Sequence, residues 1–448
     1  KVSRYMKKHL LFLLIIIFYG CTESNLAFHP RSNPSEGTLE LVQTFGGSKN
    51  DVAKSVISTV DGGFAVLGYT QSLDGDITDK ATENYDFWML KFDSEAQLEW
   101  NKTYGGSGDD RGSSLIETSD GGYALLGYSD SSDGDVSSNS GNRDFWLVKI
   151  NASGVLSWQK SFGYEGLDEG VSIIETSDNH LMLSGVLDVT ASGGEGNQGR
   201  FSTRHAGGDY WSIKITPTGD IVWSRFYGGS FTDSPTGISE TLIGGLISVG
   251  GSDSNDVDIS NNKGSYDFWI VKSNSNGDIV WEKSFGGSEI DEARDIISDG
   301  NGNHIVVGDT RSNDQDVAFN NGAADLWAIK ISNSGELLWN TSIGGSNFDV
   351  ARSISTTFNN EFIIAGSSRS SNGDVSKNQG QNDAWVLRLD NSGQLLWETT
   401  IGGSEIDFSY DAVQINNGTI VAVGETNSSN GDIIDNKGFT DLLIAQIN

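Results

Sequence analysis

Apolar residues along this chain come in short runs of six to eight, separated by glycine-rich polar turns. Runs of that length and spacing predict strands rather than helices. One stretch, from Gly105 to Phe162, contains four of them: 111–118 (RGSSLIET), 123–129 (YALLGYS), 145–150 (FWLVKI) and 155–162 (VLSWQKSF). The turns between them carry Asp120-Gly121-Gly122 and Asn151-Ala-Ser-Gly154, residues that supply the positive φ angles of tight hairpins. The four strands are named a to d, inner to outer. Strand c has an unusual pattern. In Phe87-Trp88-Met89-Leu90-Lys91-Phe92 both alternating faces are largely apolar. A half-exposed strand alternates, whereas one covered on both faces does not, so each small sheet needs a neighbour on either side.

The unit repeats. Gly-Gly-Ser-x-x-Asp, or its variant, starts at Gly46, Gly105, Gly163, Gly228, Gly286, Gly344 and Gly402, in steps of 59, 58, 65, 58, 58 and 58 residues. Seven such units predict an all-β, seven-bladed β-propeller of four-stranded antiparallel blades. Tryptophans confirm the register. Six mark strand c (Trp88, Trp146, Trp211, Trp269, Trp327, Trp385) and six mark strand d (Trp100, Trp158, Trp223, Trp281, Trp339, Trp397). The last unit lacks a d strand, and an orphan one stands at the other end. Residues 38–45 align with the segment around Trp339, with Leu41 in the tryptophan position. The ring is therefore expected to close by having 38–45 complete the seventh blade.

Glycine is abundant at 57 residues and proline scarce at 4, as suits turns rather than disorder. The formal charge of -32 excludes nucleic acid as a partner, since phosphate binding needs a basic stripe. Lys1, Arg4, Lys7 and Lys8 precede a ten-residue apolar run from Leu10 to Tyr19, too short to span a bilayer and suited to a signal peptide. Cys21, the single cysteine, follows it, and Met6 is a possible start codon. The expected organisation is a signal peptide at 1–20, Cys21 with a flexible tether to residue 36, and the propeller over 37–448.

Three sets of residues are candidates for chemistry. Asp51, Asp110, Asp168, Asp233, Asp291, Asp349 and Asp407 open the innermost strands. They read either as a carboxylate ring that takes a cation or basic ligand, or as caps that accept N–H bonds within their own Gly-Gly turns. In the b–c loop, Asp133, Asp135, Asn139 and Asp144 have the spacing of oxygen ligands for Ca²⁺, though not in EF-hand order; Asx turns explain the same residues. The third unit breaks the pattern. It has Gly163-Tyr164-Glu165 for Gly-Gly-Ser, and an extended b–c segment that brings Arg200, Arg204 and His205 to an acidic face. That segment is a candidate recognition loop or a tolerated insertion. The Asp that starts strand c (Asp86 and its counterparts) and the basic residue five later (Lys91 and counterparts) read as blade-building. No nucleophile elbow, phosphate loop or His-x-x-x-His pair is present, so no enzyme activity and no resident cofactor are expected.

The pattern GGSxxD, DGG[FY], SxDGD, D[FY]WxxK and GxLxW over 37–448 resembles the propeller repeats of surface and secreted lipoproteins of Bacteroidota-type bacteria. The c–d hairpin, as in 149–158, is similar to the tryptophan-docking motif of quinoprotein-type repeats, without their vicinal cysteines. Cys21 behind an apolar run resembles a lipobox, which implies a lipid-modified N-terminus. Thr22 after it favours the outer membrane. The expected protein is a lipid-anchored, monomeric extracytoplasmic ring that binds a protein or glycan through its acidic top face. The alternative is a polysaccharide hydrolase or lyase.

Overall fold

The structure, a computed structural model, describes residues 35–197 and 205–448. The expectations for the signal segment, Cys21 and most of the tether lie outside the described residues, as do Arg200 and Arg204. Seven sheets follow one another along the chain, six of four strands and the sixth with a short fifth strand added at its edge. In the first, Asp51–Ser58, Phe64–Thr70, Asp86–Phe92 and Leu98–Tyr104 pair in sequence order, all antiparallel. In the seventh, Asp407–Gln414, Ile420–Thr426 and Asp441–Ile447 are completed by Leu39–Phe45 from the other end of the chain. Leu41 sits opposite Gln446 as Trp339 sits opposite Lys330, so the borrowed strand holds the same register as an in-line one.

The seam between the seventh and first blades is built like the others. Asp51 N–H donates to the Thr440 carbonyl at 2.8 Å, as Asp110 does to Tyr85 at 2.7 Å and Asp407 to Asn382 at 2.8 Å. The c-strand tryptophans Trp88, Trp146, Trp269, Trp327 and Trp385 are fully buried. Each lies against an apolar residue of the preceding blade: Phe87 meets Trp146 and Phe268 meets Trp327, both with ring centroids at 4.7 Å. These edge contacts add to the burial that stacks the blades.

The d-strand tryptophans make a second kind of junction. Each indole lies over the c–d turn of the next blade, where only a glycine leaves room. A Cβ on Gly154 would fall 2.9 Å from Trp100, and one on Gly393 would fall 2.9 Å from Trp339. The two irregular junctions explain each other. The seventh blade offers Leu41 instead of tryptophan, and the first blade then has Ala96 where the others have glycine; the two residues belong to one apolar cluster. At the other irregular junction Trp397 covers Gly37, the segment that leads into the borrowed strand.

One element differs from expectation. Ser35–Glu36, read as the end of the tether, pairs in parallel with Trp397 and Glu398 on the outer edge of the sixth blade. Gly37 permits this, because the chain crosses the face of Trp397 at a distance no side chain tolerates.

Candidate functional site at the mouth of the ring

The seven repeated aspartates are fully buried. Their carboxylates are used inside their own blades. Asp51 Oδ2 accepts from Gly47 N at 2.8 Å and from Ser72 Oγ at 2.8 Å, while Oδ1 accepts from Thr70 Oγ1. Asp291, Asp349 and Asp407 repeat all three bonds, and Asp110 and Asp233 the first two. Asp168 accepts from Tyr164 N and Asp188 N. The chemistry this geometry offers is turn closure: a buried carboxylate that ties the d–a turn to the b–c loop.

The b–c loop residues serve the same junction. Asp133 Oδ1 accepts from Ser107 N at 2.7 Å, Asp135 Oδ2 from Gly105 N at 3.2 Å, and Asp144 Oδ2 from Ser140 N at 2.7 Å. Asn139 bridges Ser129 O and Gly141 N. Among the described residues no group of three or more His, Cys, Asp or Glu is placed to hold a metal ion.

The third blade's irregularities form one packing unit. Asp188 caps the short helix Val189–Ser192, and Tyr164 packs on Trp211 at a tilt, with ring centroids 5.9 Å apart. Trp211 elsewhere would donate to a d-strand side chain, as Trp146 does to Gln159; here it and Ser224 both donate to the Gly196 carbonyl. His205 does not face solvent. Its side chain is 5% exposed, its Nδ1 is 2.7 Å from Asp209 Oδ2, and its ring meets Phe226 edge-on. In the regular blades a backbone N–H four residues back serves that aspartate, for example Lys263 N to Asp267 at 2.7 Å. His205 replaces that donor where the insertion reroutes the chain. Burial opposes its charge, but Asp209, Asp258 and Asp233 outweigh that and raise its pKa.

These buried carboxylates carry a measurable consequence. Across six of the seven seams the c-strand and a-strand acids converge on the first glycine of the turn, as Asp86 and Asp110 do at Gly105 and Asp441 and Asp51 do at Gly46. Burial first, and the seam carboxylate after it, push Asp86, Asp168 and Asp233 up to about 7 and Asp267, Asp383 and Asp441 up to about 6; burial and then Asp130 push Asp110 up to about 6. A pKa raised on folding means that the folded state binds more protons between pH ~7 and the unfolded value near ~4. Stability should therefore rise as pH falls from 8 to 5. Acids held down instead, such as Asp299 at about 2, lose their contribution only below pH ~4. Thermal melts at pH 8, 7, 6 and 5 check this; a melting temperature that falls steadily over that range refutes it.

The place where seven-fold repetition fails without an insertion is the innermost strand. Every strand a carries a β-bulge three residues after its aspartate, in the first blade between Ala53 and Ser55 and in the seventh between Ser409 and Asp411. The extra residues are Lys54, Ser113, Val171, Thr236, Arg294, Arg352 and Tyr410. A bulge turns one side chain out of the alternation and re-aims it, here around the ring axis near the d–a face. These positions differ in every blade but two.

Bulged Lys54 and Arg352, together with Arg111 and Arg143 nearby, are cations that lie on aromatic faces. Lys54 Nζ lies 3.4 Å from the centre of the Tyr410 ring and 5.9 Å from that of Tyr69. Arg352 lies 5.0 Å from Tyr410 and 5.1 Å from Phe408. Arg111 stacks on Tyr85 at 3.9 Å and Arg143 on Tyr128 at 4.4 Å. Most of these cations have an acid: Arg294 pairs with Glu292 and Asp309, Arg143 with Glu169, and Arg111 with Asp109. Lys54 and Arg352 have no carboxylate within ion-pair distance among the described residues. The acid beside them, Glu425, accepts the Tyr410 hydroxyl at 2.8 Å. Burial pushes Lys54 down to about 8; Glu425 opposes this, and the charges of Arg352 and Arg111 add to it. One residue further along strand a, Asp295 and Asp411 stitch neighbouring blades by accepting Ile354 N and Val56 N, both at 2.9 Å. This centre was missed by reading the repeat for its constant positions. Its signal is the column three residues after each aspartate, where the units disagree.

No family model matches this chain, and no curated protein matches it. Among solved structures it is similar to a protein of unknown function from Dyadobacter fermentans (9% identity, TM-score 0.46, covering 92% of this chain and 99% of that one). It is also similar to a DUF4221 family member from Bacteroides vulgatus (12%, 0.39, 93% and 99%) and to the PQQ-bound aldose sugar dehydrogenase of Streptomyces coelicolor (11%, 0.39, 93% and 100%). At these identities the likeness concerns the propeller fold alone.

Proposed function

We propose that this protein is a lipid-anchored, extracytoplasmic binding module that holds a protein or glycan, without catalysis, on the face bearing its d–a turns and b–c loops. The observation that carries the reading is the inner ring. The repeated acids of that face are consumed in closing turns, while the bulged positions at its centre are varied, half-buried and chemically distinct. Outside the third blade's packing unit, a fold that keeps its structural positions constant and varies one central set of side chains has that set free for recognition. Attachment through Cys21 to the outer membrane would present this face at the end of a tether.

Affinity capture from native envelopes with the full chain tests the module: a partner should be retained, and Lys54→Gln should reduce its retention. In the same envelopes Cys21→Ser should move the protein from the membrane to the soluble fraction; unchanged membrane association refutes the anchor. The second reading, a polysaccharide lyase or hydrolase, draws on Lys54, whose lowered pKa beside Tyr410 suits proton transfer. It predicts new reducing ends or unsaturated uronates from incubated polysaccharide, and their absence removes it.

A further inference from the structure

We infer that the mouth of the ring binds an anionic sugar of a glycan chain, with Lys54, Arg352 and Arg111 as its charge partners, held in place by Tyr69 and Tyr410. The inference rests on the reading of the protein as a binding module and names the ligand class of the same site.

Three arguments lead to it. The first is charge. The chain carries -32 overall, yet cations from three blades gather about the axis. Glu425, the acid shared by the cluster, is engaged by Tyr410. Like charges held together in a partly desolvated site are relieved by a counter-ion, and here that ion must be an anion. The second is an unused donor. Arg352 Nε makes no hydrogen bond, and no carboxylate lies within ion-pair distance of its guanidinium among the described residues. A guanidinium with no carboxylate of its own suits a carboxylate or sulfate oxygen. The third is shape and surface. The cations are held in place on tyrosine and phenylalanine faces, and fixed charge donors ringed by aromatic edges suit a sugar ring that carries an acidic substituent. The acidic rim outside disfavours a polyanion that lies flat on the surface, so the anion is gripped only where it enters the centre.

The experiment measures binding of polygalacturonate (carboxylated), dextran sulfate (sulfated), unmodified dextran and polyglutamate to the full chain, by calorimetry at two salt concentrations. One of the two anionic glycans should bind, with affinity that falls as salt rises; which one binds identifies the acidic group. Lys54→Gln and Arg352→Gln should each weaken binding by at least ten-fold, whereas Lys102→Gln on an outer strand should not. Folding is checked independently: removal of a crowded cation should leave the melting temperature unchanged or raise it, and the anionic glycan should raise it in wild type only. Equal binding of dextran, binding of polyglutamate alone, or full affinity in both inner-ring variants overturns the inference. If the chain captures a partner from envelopes that is indifferent to Lys54 and Arg352, the anion site falls and the binding module stands. If polygalacturonate is cleaved, the module reading itself falls.

Discussion

A chain that lacks residues 1–45 will not give a cooperative melt, whereas one that lacks only 1–34 will. The segment Leu39–Phe45 is the outer strand of the seventh blade, hydrogen-bonded along its length to Asp441–Ile447. Its loss exposes one full strand edge of the kind that pairs with other chains. It also strips apolar cover. Leu39 and Val42 pack with Ile447, Leu443 and Trp397, while Leu41 and Phe45 pack with Ala96 and Phe92 of the first blade. Phe45 meets Phe92 edge-on at 5.2 Å. Full burial of such a side chain contributes about 1.5–3 kcal/mol, so four half-buried ones together approach the ~5–15 kcal/mol by which a domain is stable. A ring adds a penalty that an open array avoids, because the damaged blade is the one that joins the two ends. Circular dichroism melts and size-exclusion chromatography read the outcome. A synthetic 35–45 peptide added in trans should restore part of the cooperativity. A truncated chain with the melting temperature of the parent contradicts velcro closure.

The repeat made the fold legible because each level agreed: strand length, turn glycines, paired tryptophans and the orphan strand all pointed to the same ring. Strand limits in the second unit fell within a residue of those observed. The site was less legible, for a physical reason. Acidic residues at fixed positions attract attention, yet a buried carboxylate that accepts three hydrogen bonds is what a glycine-rich turn needs. His205 was expected on an exposed loop. In the structure its imidazole is buried against Asp209 and substitutes for the backbone N–H that serves this aspartate in the regular blades. A bulge leaves almost no mark in sequence, so the side chains it re-aims, such as Lys54 and Arg352, look like ordinary strand residues.

That bulge is maintained by a glycine on the facing strand, which makes Gly68→Ala the substitution with the sharpest expected effect. Gly68 pairs with Ala53, just before the register shift at Lys54. A Cβ there would lie 1.8 Å from the Val52 carbonyl oxygen and 2.8 Å from Ala53 Cα. Both are backbone atoms of the innermost strand, which cannot rotate away as a side chain can. The strands must separate, or the bulge must straighten and pass one residue along the register. Either response disturbs the stitch between Val56 N and Asp411 that joins the first blade to the seventh. Overpacked cores lose about 1–3 kcal/mol, and a clash with backbone belongs at or beyond the top of that range. Gly121→Ala provides the contrast. It also removes a glycine, at φ +80°, but nothing lies within 4 Å of the new methyl group. Its cost is the ~1–2 kcal/mol of a left-handed residue. Urea unfolding should therefore place Gly68→Ala well below Gly121→Ala. Only the former should also weaken binding at the ring centre, because only it moves Lys54. Equal stability and equal binding in the two variants would show that the bulge neither holds the inner strand nor aims its side chain.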